Sequence, residues 1–520
     1  MFDPARLLFF AAWMSPMAAL PGGGLPVEKI VAACIAAAMS GALLCSLPLA
    51  AFRIARGLIL LLQPLSLLWI GYVSLNGMGP TAIAALGAMA HTNIAEATTA
   101  LHLLANAKSL AIGGLQLILL VASYACGKGD RCRFSGAIAA AALTALMLNA
   151  WIPQLLSTAP SFLPGRDDLQ NFPYGSVAEL AVALVTDRQA LRPTPGPVAV
   201  HRIPRESAVQ SSIDAIFILG ETFRFERPPG LSFGGEGWSA LQKRFRAGLG
   251  VYLPKVCASA DSTAISVPLL LTGTSPQANA DAATAPSGLA RLAAAGYETA
   301  WISNQAGNDL FGDEHRDLFW MVEGSSTQLD EALLPMAFAF LGQDDGRNKA
   351  VLLHFLDSHA AYADRYPPLR EPDQLDREHL EALRYERAND HTLTVLASVA
   401  AMIDGLSTPA FVVYVSDHGE NLLVDHNGIH FHIGARTTAK AAYVPSFVLW
   451  NGPYLQAFHP RERLRPVLAA PALAHADVYR IWVNFAGLDT AIAATPEPQI
   501  LGKANLTDPV GAISCSALSP

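Results

Sequence analysis

The stretch "FVVYVSDHGE", Phe411–Glu420, changes character halfway along. Its first five residues are apolar or aromatic and β-rich, a run of the length of one buried strand and too short for most helices. At Ser416 the run stops, and Asp417, His418, Gly419 and Glu420 follow. The same plan recurs elsewhere. "AIFIL" leads into Gly220, Glu221 and Thr222; "TAWI" leads into Ser303, Asn304 and Gln305; "AVLLHFL" leads into Asp357, Ser358 and His359. The expected strands are Ala215–Leu219, Glu298–Ile302, Ala350–Phe355, Phe411–Val415 and Ser446–Trp450, and the expected helices Ser287–Ala295, Arg377–Leu406 and His475–Phe485. Strands alternating with amphipathic helices imply an α/β fold with a central, mostly parallel sheet covered on both faces. Ligands of such sheets bind beyond the carboxyl ends of the strands. Four strand ends carrying acids, histidines or amides at one edge therefore amount to a candidate site.

The front of the chain is different. Only twelve of the 78 charged residues fall in the first 155 positions, and the mean hydropathy of the 520-residue chain is +0.31. Apolar segments long enough to approach a membrane crossing run over Leu7–Leu20, Ile30–Phe52, Gly57–Leu75, Leu110–Cys126 and Phe134–Ile152. The first is short, contains Pro16, and equally suits the core of an export signal. Thr81–Leu104 is apolar but interrupted by "HTNIAEATT", and polar groups are costly against lipid, so it reads as helices at the outer surface. With five spans, Arg6, Arg53, Arg56, Lys128, Arg131 and Arg133 share one side, which the distribution of basic residues makes cytoplasmic. Everything beyond about residue 155 then lies outside the inner membrane. Three domains follow: a transmembrane helical domain over 1–155, a Pro- and Gly-rich linker over 156–210 with one helix at Ser176–Thr186, and a large outer domain over 211–520. The net charge of −8 argues against nucleic-acid binding. No CxxC zinc pattern exists; of the six cysteines only Cys257 and Cys515 fall in the outer domain, and their pairing is left open.

Glu221, Asp417 and His418 are the right donors for a zinc-class divalent ion, with Gly419 permitting a sharp backbone path. Individually, Glu221 could be a first-turn helix acid and Asp417 a helix cap. "DHNGIHFHIG" adds His426, His430 and His432; the last two would share a face on a strand. "CASADSTAISVP", Cys257–Pro268, reads as a turn entering a helix, with Ser262 and Thr263 in its first turn. A metal beside an alcohol makes a nucleophile at neutral pH, and helix N-termini favour bound phosphate. A cap formed by Asp261 or Ser262 is compatible with such a site.

These pieces resemble the bacterial phosphoethanolamine transferases, inner-membrane enzymes of the alkaline phosphatase/sulfatase fold that decorate lipopolysaccharide and include the mobile colistin-resistance enzymes. The resemblance rests on "ILGETFR" (218–224), "STAISVP" (262–268), "WISNQAG" (301–307), "LHFLDSHAAYADRYP" (353–367), "YVSDHGENL" (414–422) and "NGIHFHIG" (427–434), in the family's order. It implies that Glu221, Thr263, Asp417 and His418 bind a catalytic Zn2+. It makes Thr263 the nucleophile, which forms a phosphoethanolamine-threonine intermediate. It puts His359 and His432 around the phosphoryl group or a second Zn2+. Asn304 and Gln305 would contact the donor head group, while Asn93 and Glu96 would help hold the donor lipid, phosphatidylethanolamine. His475 would be structural. The family's cysteine positions beside the nucleophile are Ser259 and Leu269 here, so the acceptor is open among lipid A, a core sugar and a periplasmic glucan. Two relatives in chemistry are the phosphoglycerol transferases, with the same threonine and a different lipid head group, and the alkaline phosphatases, for which Ser262 would be the nucleophile. A formylglycine sulfatase is disfavoured, because its Pro and Arg are absent from "CASADST".

Overall fold

The computed structural model describes residues 4–19, 27–76, 107–125, 212–228, 231, 234–283, 285–305, 318–321, 328–343, 346–372, 374–426, 429–432, 436–502 and 511–518. They fall into two compact units, one holding the described residues up to 125 and the other those from 212 onward. Asn93, Glu96 and the rest of Thr81–Leu104, the expected span Phe134–Ile152, and the linker 156–210 lie outside the described residues.

The first unit is helical: α1 Pro4–Met14, α2 Val27–Ser46, α3 Leu49–Leu61, α4 Gln63–Asn76 and α5 Ala107–Ala125. Three expected spans are broken. The α-helix of α1 tightens into a 3₁₀ turn at Ser15–Ala19, around Pro16. Ile30–Phe52 is interrupted at Leu47-Pro48, because proline cannot donate to the preceding turn and instead starts the next helix. Gly57–Leu75 breaks at Leu62, with Pro64 in the first turn of α4. Among the described residues no single helix is long and apolar enough to cross a membrane; Leu49–Leu61 and Gln63–Ile70, bent by 52°, meet that requirement together. α3 exposes Ile54, Leu58 and Leu61, an apolar stripe at helical spacing. Inside the unit Arg6 donates to Leu47 O at 2.9 Å, Arg56 to Ser123 Oγ at 3.3 Å, and Ser123 Oγ to Ala5 O at 2.8 Å. Both guanidinium groups lie over the Phe52 ring. Arg6 and Arg56 thus meet over one ring.

The second unit is built on a seven-stranded sheet of order β2-β9-β7-β1-β6-β4-β5. Its strands are β1 Asp214–Gly220, β2 Gly250–Tyr252, β4 Glu298–Ser303, β5 Leu318–Met321, β6 Lys349–His354, β7 Ala410–Ser416 and β9 Ser446–Trp450. The five strands from β7 to β5 are parallel, whereas β9 runs antiparallel to β7 and β2 antiparallel to β9. All five expected strands are present, in a mostly parallel sheet. Short strands β3 (Val256–Cys257), β8 (Tyr443–Val444) and β10 (Leu473–Ala474) form a separate small sheet, and β11 (Gln499–Gly502) with β12 (Gly511–Ser514) a hairpin.

Strand alternation sorts the core into two layers. Ala215, Phe217, Leu219, Val413, Val415 and Trp301 pack against α6 (Thr263–Thr272), α7 (Gly288–Ala294) and α9 (His475–Phe485). Ile216, Ile218, Val412, Tyr414 and Leu353 pack against the long helix α8 (Arg377–Asp404). Parallel direction brings the carboxyl ends of β1, β4, β6 and β7 to one edge; Gly220 lies beside Ser416, and Leu219 and Ser303 both flank His354. Odd-numbered residues of β1 and β7 face α6, so the chain leaving each strand carries Glu221 and Asp417 toward the start of that helix.

Candidate active site

Thr263 opens α6. Ser262 holds the N-cap position with extended backbone but forms no side-chain cap, and Asp261 instead accepts a hydrogen bond from Thr437 Oγ1 at 2.6 Å. The Ser262 cap does not form. Thr263 Oγ1 donates to Glu221 Oε1 at 2.7 Å and lies 3.1 Å from His418 Nε2. His418 Nε2 is 3.4 Å from Glu221 Oε1 and 3.2 Å from Asp417 Oδ2. Of the four hydroxyls between Ser259 and Ser266, Thr263 is the one bonded into this cluster. Ser266 Oγ donates to Asp417 O at 2.6 Å and so packs the helix onto the strand end.

No helix follows Glu221 or Asp417, which removes their helix-acid and helix-cap readings. Thr222 and Asp357 hold positive φ values of 57° and 47°, a strained conformation for residues with a Cβ. Both lie in turns that face the site. Gly419 is needed for a reason other than a sharp path: a Cβ there would come within 2.1 Å of Lys440 O. Gly220 likewise leaves room for Asp357 Oδ2, which a Cβ would meet at 2.3 Å.

Each ligand candidate has one atom engaged by the protein and one facing Thr263. Asp417 Oδ1 accepts from Thr222 N at 3.2 Å and His418 N at 2.6 Å, which leaves Oδ2. His418 Nδ1 is 2.9 Å from Gly419 O, so it carries the proton and leaves Nε2 as a donor pair. Glu221 Oε2 accepts from Gln305 Nε2 at 2.7 Å, which leaves Oε1. Two carboxylate oxygens, one imidazole nitrogen and one hydroxyl converge, and the three acidic and histidine donor atoms lie within 4.8 Å of one another. Glu221, Asp417 and His418 are fully buried, and among the described residues neither carboxylate is paired with an arginine or lysine. Burial pushes the Glu221 carboxyl up and that of Asp417 to about 7, and pushes the His418 imidazole down to about 4. A dication favours the opposite forms, charged carboxylate and neutral imidazole. The set fits a zinc-class ion.

His432 is brought to the cluster, its ring centroid 4.1 Å from that of His418, and burial pushes its imidazole down to about 4. His359 acts electrostatically on Glu221 and Asp417, lowering both. His430 does not share its face with His432. The segment is not a strand; Phe431 takes φ 67°, and His430 Nε2 turns to Glu381 Oε1 at 2.7 Å. His426 is exposed. The amides expected to meet the donor head group are engaged inside the protein. Fully buried Asn304 donates to Asp330 Oδ1 at 2.8 Å and Gln328 O at 3.1 Å, and Gln305 binds Glu221. Glu420 is a residue that sequence reasoning passed over. It is fully buried, 3.4 Å from His432 Nδ1, and burial raises its carboxyl to about 7. Its position in "SDHGE" was the available signal. His475 is structural: Ser259 N donates to its Nδ1 at 3.0 Å, and its Nε2 faces Ser416 O at 3.0 Å. Cys257 and Cys515 form a disulfide.

A model of the sulfatase family matches residues 214–487. Phosphoethanolamine transferase EptC of Escherichia coli (strain K12) is 29% identical over 227 residues, 39% of this chain and 38% of that protein. Phosphoethanolamine transferase CptA of Salmonella typhimurium is 28% identical over 227 residues, again 39% and 38%. The matched region thus spans well under half the length of these curated relatives. Among solved structures, the integral membrane lipooligosaccharide phosphoethanolamine transferase A (EptA) from Neisseria meningitidis superposes with a TM-score of 0.67 at 16% identity, covering 94% of this chain and 95% of that one. The C-terminal periplasmic domain of EptC from Escherichia coli in complex with Zn gives 0.51 at 21% identity, covering 62% and 98%.

Proposed function

We propose, since the chain belongs to the sulfatase family, that it transfers phosphoethanolamine from phosphatidylethanolamine to a lipopolysaccharide acceptor, lipid A or a core sugar, through a covalent intermediate on Thr263. The observation that carries this reading is the Thr263 hydroxyl, 2.7 Å from Glu221 Oε1 and 3.1 Å from His418 Nε2 at the start of a helix. It is supported by the names of the relatives EptC and CptA and by the likeness to EptA along nearly the whole chain. Glu221 Oε1, Asp417 Oδ2, His418 Nε2 and Thr263 Oγ1 would hold one Zn2+, with His359 and His432 beside the transferring phosphoryl group. A bound Zn2+ supplies a Lewis acid that favours the threonine alkoxide at neutral pH.

Thr263 Oγ1, as the alkoxide, attacks the phosphorus of the donor. The new O–P bond forms as the bond to diacylglycerol breaks, leaving phosphoethanolamine on Thr263. A protonated His359 gives the departing alkoxide its proton. In the second half-reaction the acceptor oxygen attacks the same phosphorus, His359 takes the acceptor's proton, and Thr263 is released as the alkoxide. The α6 N-terminus, with its backbone N–H groups, favours the transferring anion. The apolar helical unit would be embedded in the inner membrane with the Arg6/Arg56 end cytoplasmic and the sulfatase-like domain in the periplasm.

The acceptor is tested by comparing lipopolysaccharide and periplasmic glucan from cells with and without the gene. Lipopolysaccharide that loses a phosphoethanolamine mass increment on deletion is expected. Lipopolysaccharide of unchanged mass beside an altered glucan would overturn the acceptor assignment.

A further inference from the structure

Gln305 has a task the sequence did not suggest. Its Nε2 lies 2.7 Å from Glu221 Oε2 and 3.2 Å from Phe355 O. Both partners are acceptors, so the amide must turn its NH2 toward them whichever way its two ends are assigned. The side chain is nine-tenths buried. Its backbone is fixed as well: Gln305 N donates to Ser303 Oγ at 3.1 Å, just beyond the end of β4. The Phe355 carbonyl is anchored in turn, since Phe355 N donates to Leu219 O of β1 at 2.9 Å. One amide therefore ties together the ends of β4, β6 and β1 at the point where Glu221 leaves the sheet.

We propose that Gln305 is a positioning residue that holds Glu221 as a one-oxygen ligand; this role rests on the transferase reading above. With Oε2 held by Gln305, Oε1 is the oxygen that reaches Thr263 Oγ1 at 2.7 Å and His418 Nε2 at 3.4 Å. Asp417 and His418 are restricted in the same manner by backbone groups, Thr222 N and Gly419 O. Glu221 differs in depending on a side chain from another strand. Without that amide a buried carboxylate loses a donor and gains freedom about its last torsion. It then either turns both oxygens to the ion or leaves one without a partner. Partners of this kind, which orient a metal ligand without touching the metal, typically contribute about 10–100-fold to metal affinity.

The test is a zinc titration of the purified full-length protein in detergent, stripped of metal and titrated against a competing chelator. Gln305→Met keeps the volume and removes the donor, and is expected to weaken Zn2+ binding by about 10–100-fold. Gln305→Asn keeps an amide but shortens its reach by one methylene. It is expected to weaken binding by the same order, and it covers the case in which the methionine variant does not fold. The thermal midpoint of each metal-free variant is measured alongside, because a merely structural role would lower that midpoint and leave the affinity of the folded protein unchanged. A folded variant that binds Zn2+ within about twofold of the parent, against the 10–100-fold expected, overturns the inference. The functional reading fails differently: a parent protein that binds Zn2+ and forms no adduct on Thr263 with phosphatidylethanolamine overturns the transferase assignment, not the role of Gln305, which is read from zinc affinity alone.

Discussion

Thr263 has two short contacts that neighbouring hydroxyls lack, to Glu221 Oε1 and His418 Nε2. Ser266 is turned to Asp417 O, Ser262 makes no cap, and the backbone of Ser259 is held by His475. The four principal site residues were legible because each stands directly after a strand or at the first turn of a helix, where the sequence marks the change of structure. Gln305 and Glu420 were visible as residues but not as partners, since Gln305 joins strand ends far apart in the chain and Glu420 meets His432 outside any strand. The shared face expected of His430 and His432 fails because φ 67° at Phe431 breaks the alternation that a strand would impose, while His432 still reaches His418. His354 offers a prediction at the same scale. It is buried, without a hydrogen bond to either ring nitrogen, and burial pushes its imidazole down to about 3 from the ordinary 6.5. Above pH 6.5 folded and unfolded chains are both neutral there, and the group adds nothing to the pH dependence. As pH falls below that value the unfolded chain takes up a proton that the folded one refuses. Stability is then lost by about 1.4 kcal/mol per pH unit until the folded value is reached. His354→Leu should flatten the pH dependence of the unfolding free energy by about that slope between about pH 6 and 4. An unchanged slope in urea denaturation would show that His354 is protonated in the fold.

At the level of elements, the sheet edge gathers the candidate site and the carboxyl-terminal hairpin secures the turn before Thr263. Leu501 N donates to Ser259 O at 2.8 Å, Ala260 bridges to Leu501, and the Cys257–Cys515 disulfide joins the hairpin end to β3. This cross-link spans a sequence separation of 258 residues. Cys515→Ser should lower the unfolding free energy by about 2–4 kcal/mol under non-reducing conditions; an unchanged denaturation midpoint would contradict this. The buried strands were legible because apolar runs of five to seven residues, bounded by polar turns, have few other uses. The three helix breaks near Pro16, Pro48 and Pro64 were less so. Hydropathy reads these apolar segments through the prolines, while the missing N–H groups decide where each helix stops.

The described residues form an apolar helical unit and a sulfatase-family unit. The stripe of Ile54, Leu58 and Leu61 on α3, 53–77% exposed, is a surface suited to lipid. The full-length protein should therefore stay with membranes through an alkaline carbonate wash and be released by detergent; release by carbonate alone would contradict an embedded unit. The proposed function requires a lipid donor to deliver its phosphoryl group to Thr263 of the sulfatase-family domain. Incubation of the purified full-length protein with phosphatidylethanolamine, followed by peptide mass spectrometry, tests this most directly. A phosphoethanolamine mass increment on Thr263, absent from Thr263→Ala, is predicted. An increment on Ser262, or none from a zinc-loaded protein, would contradict the account.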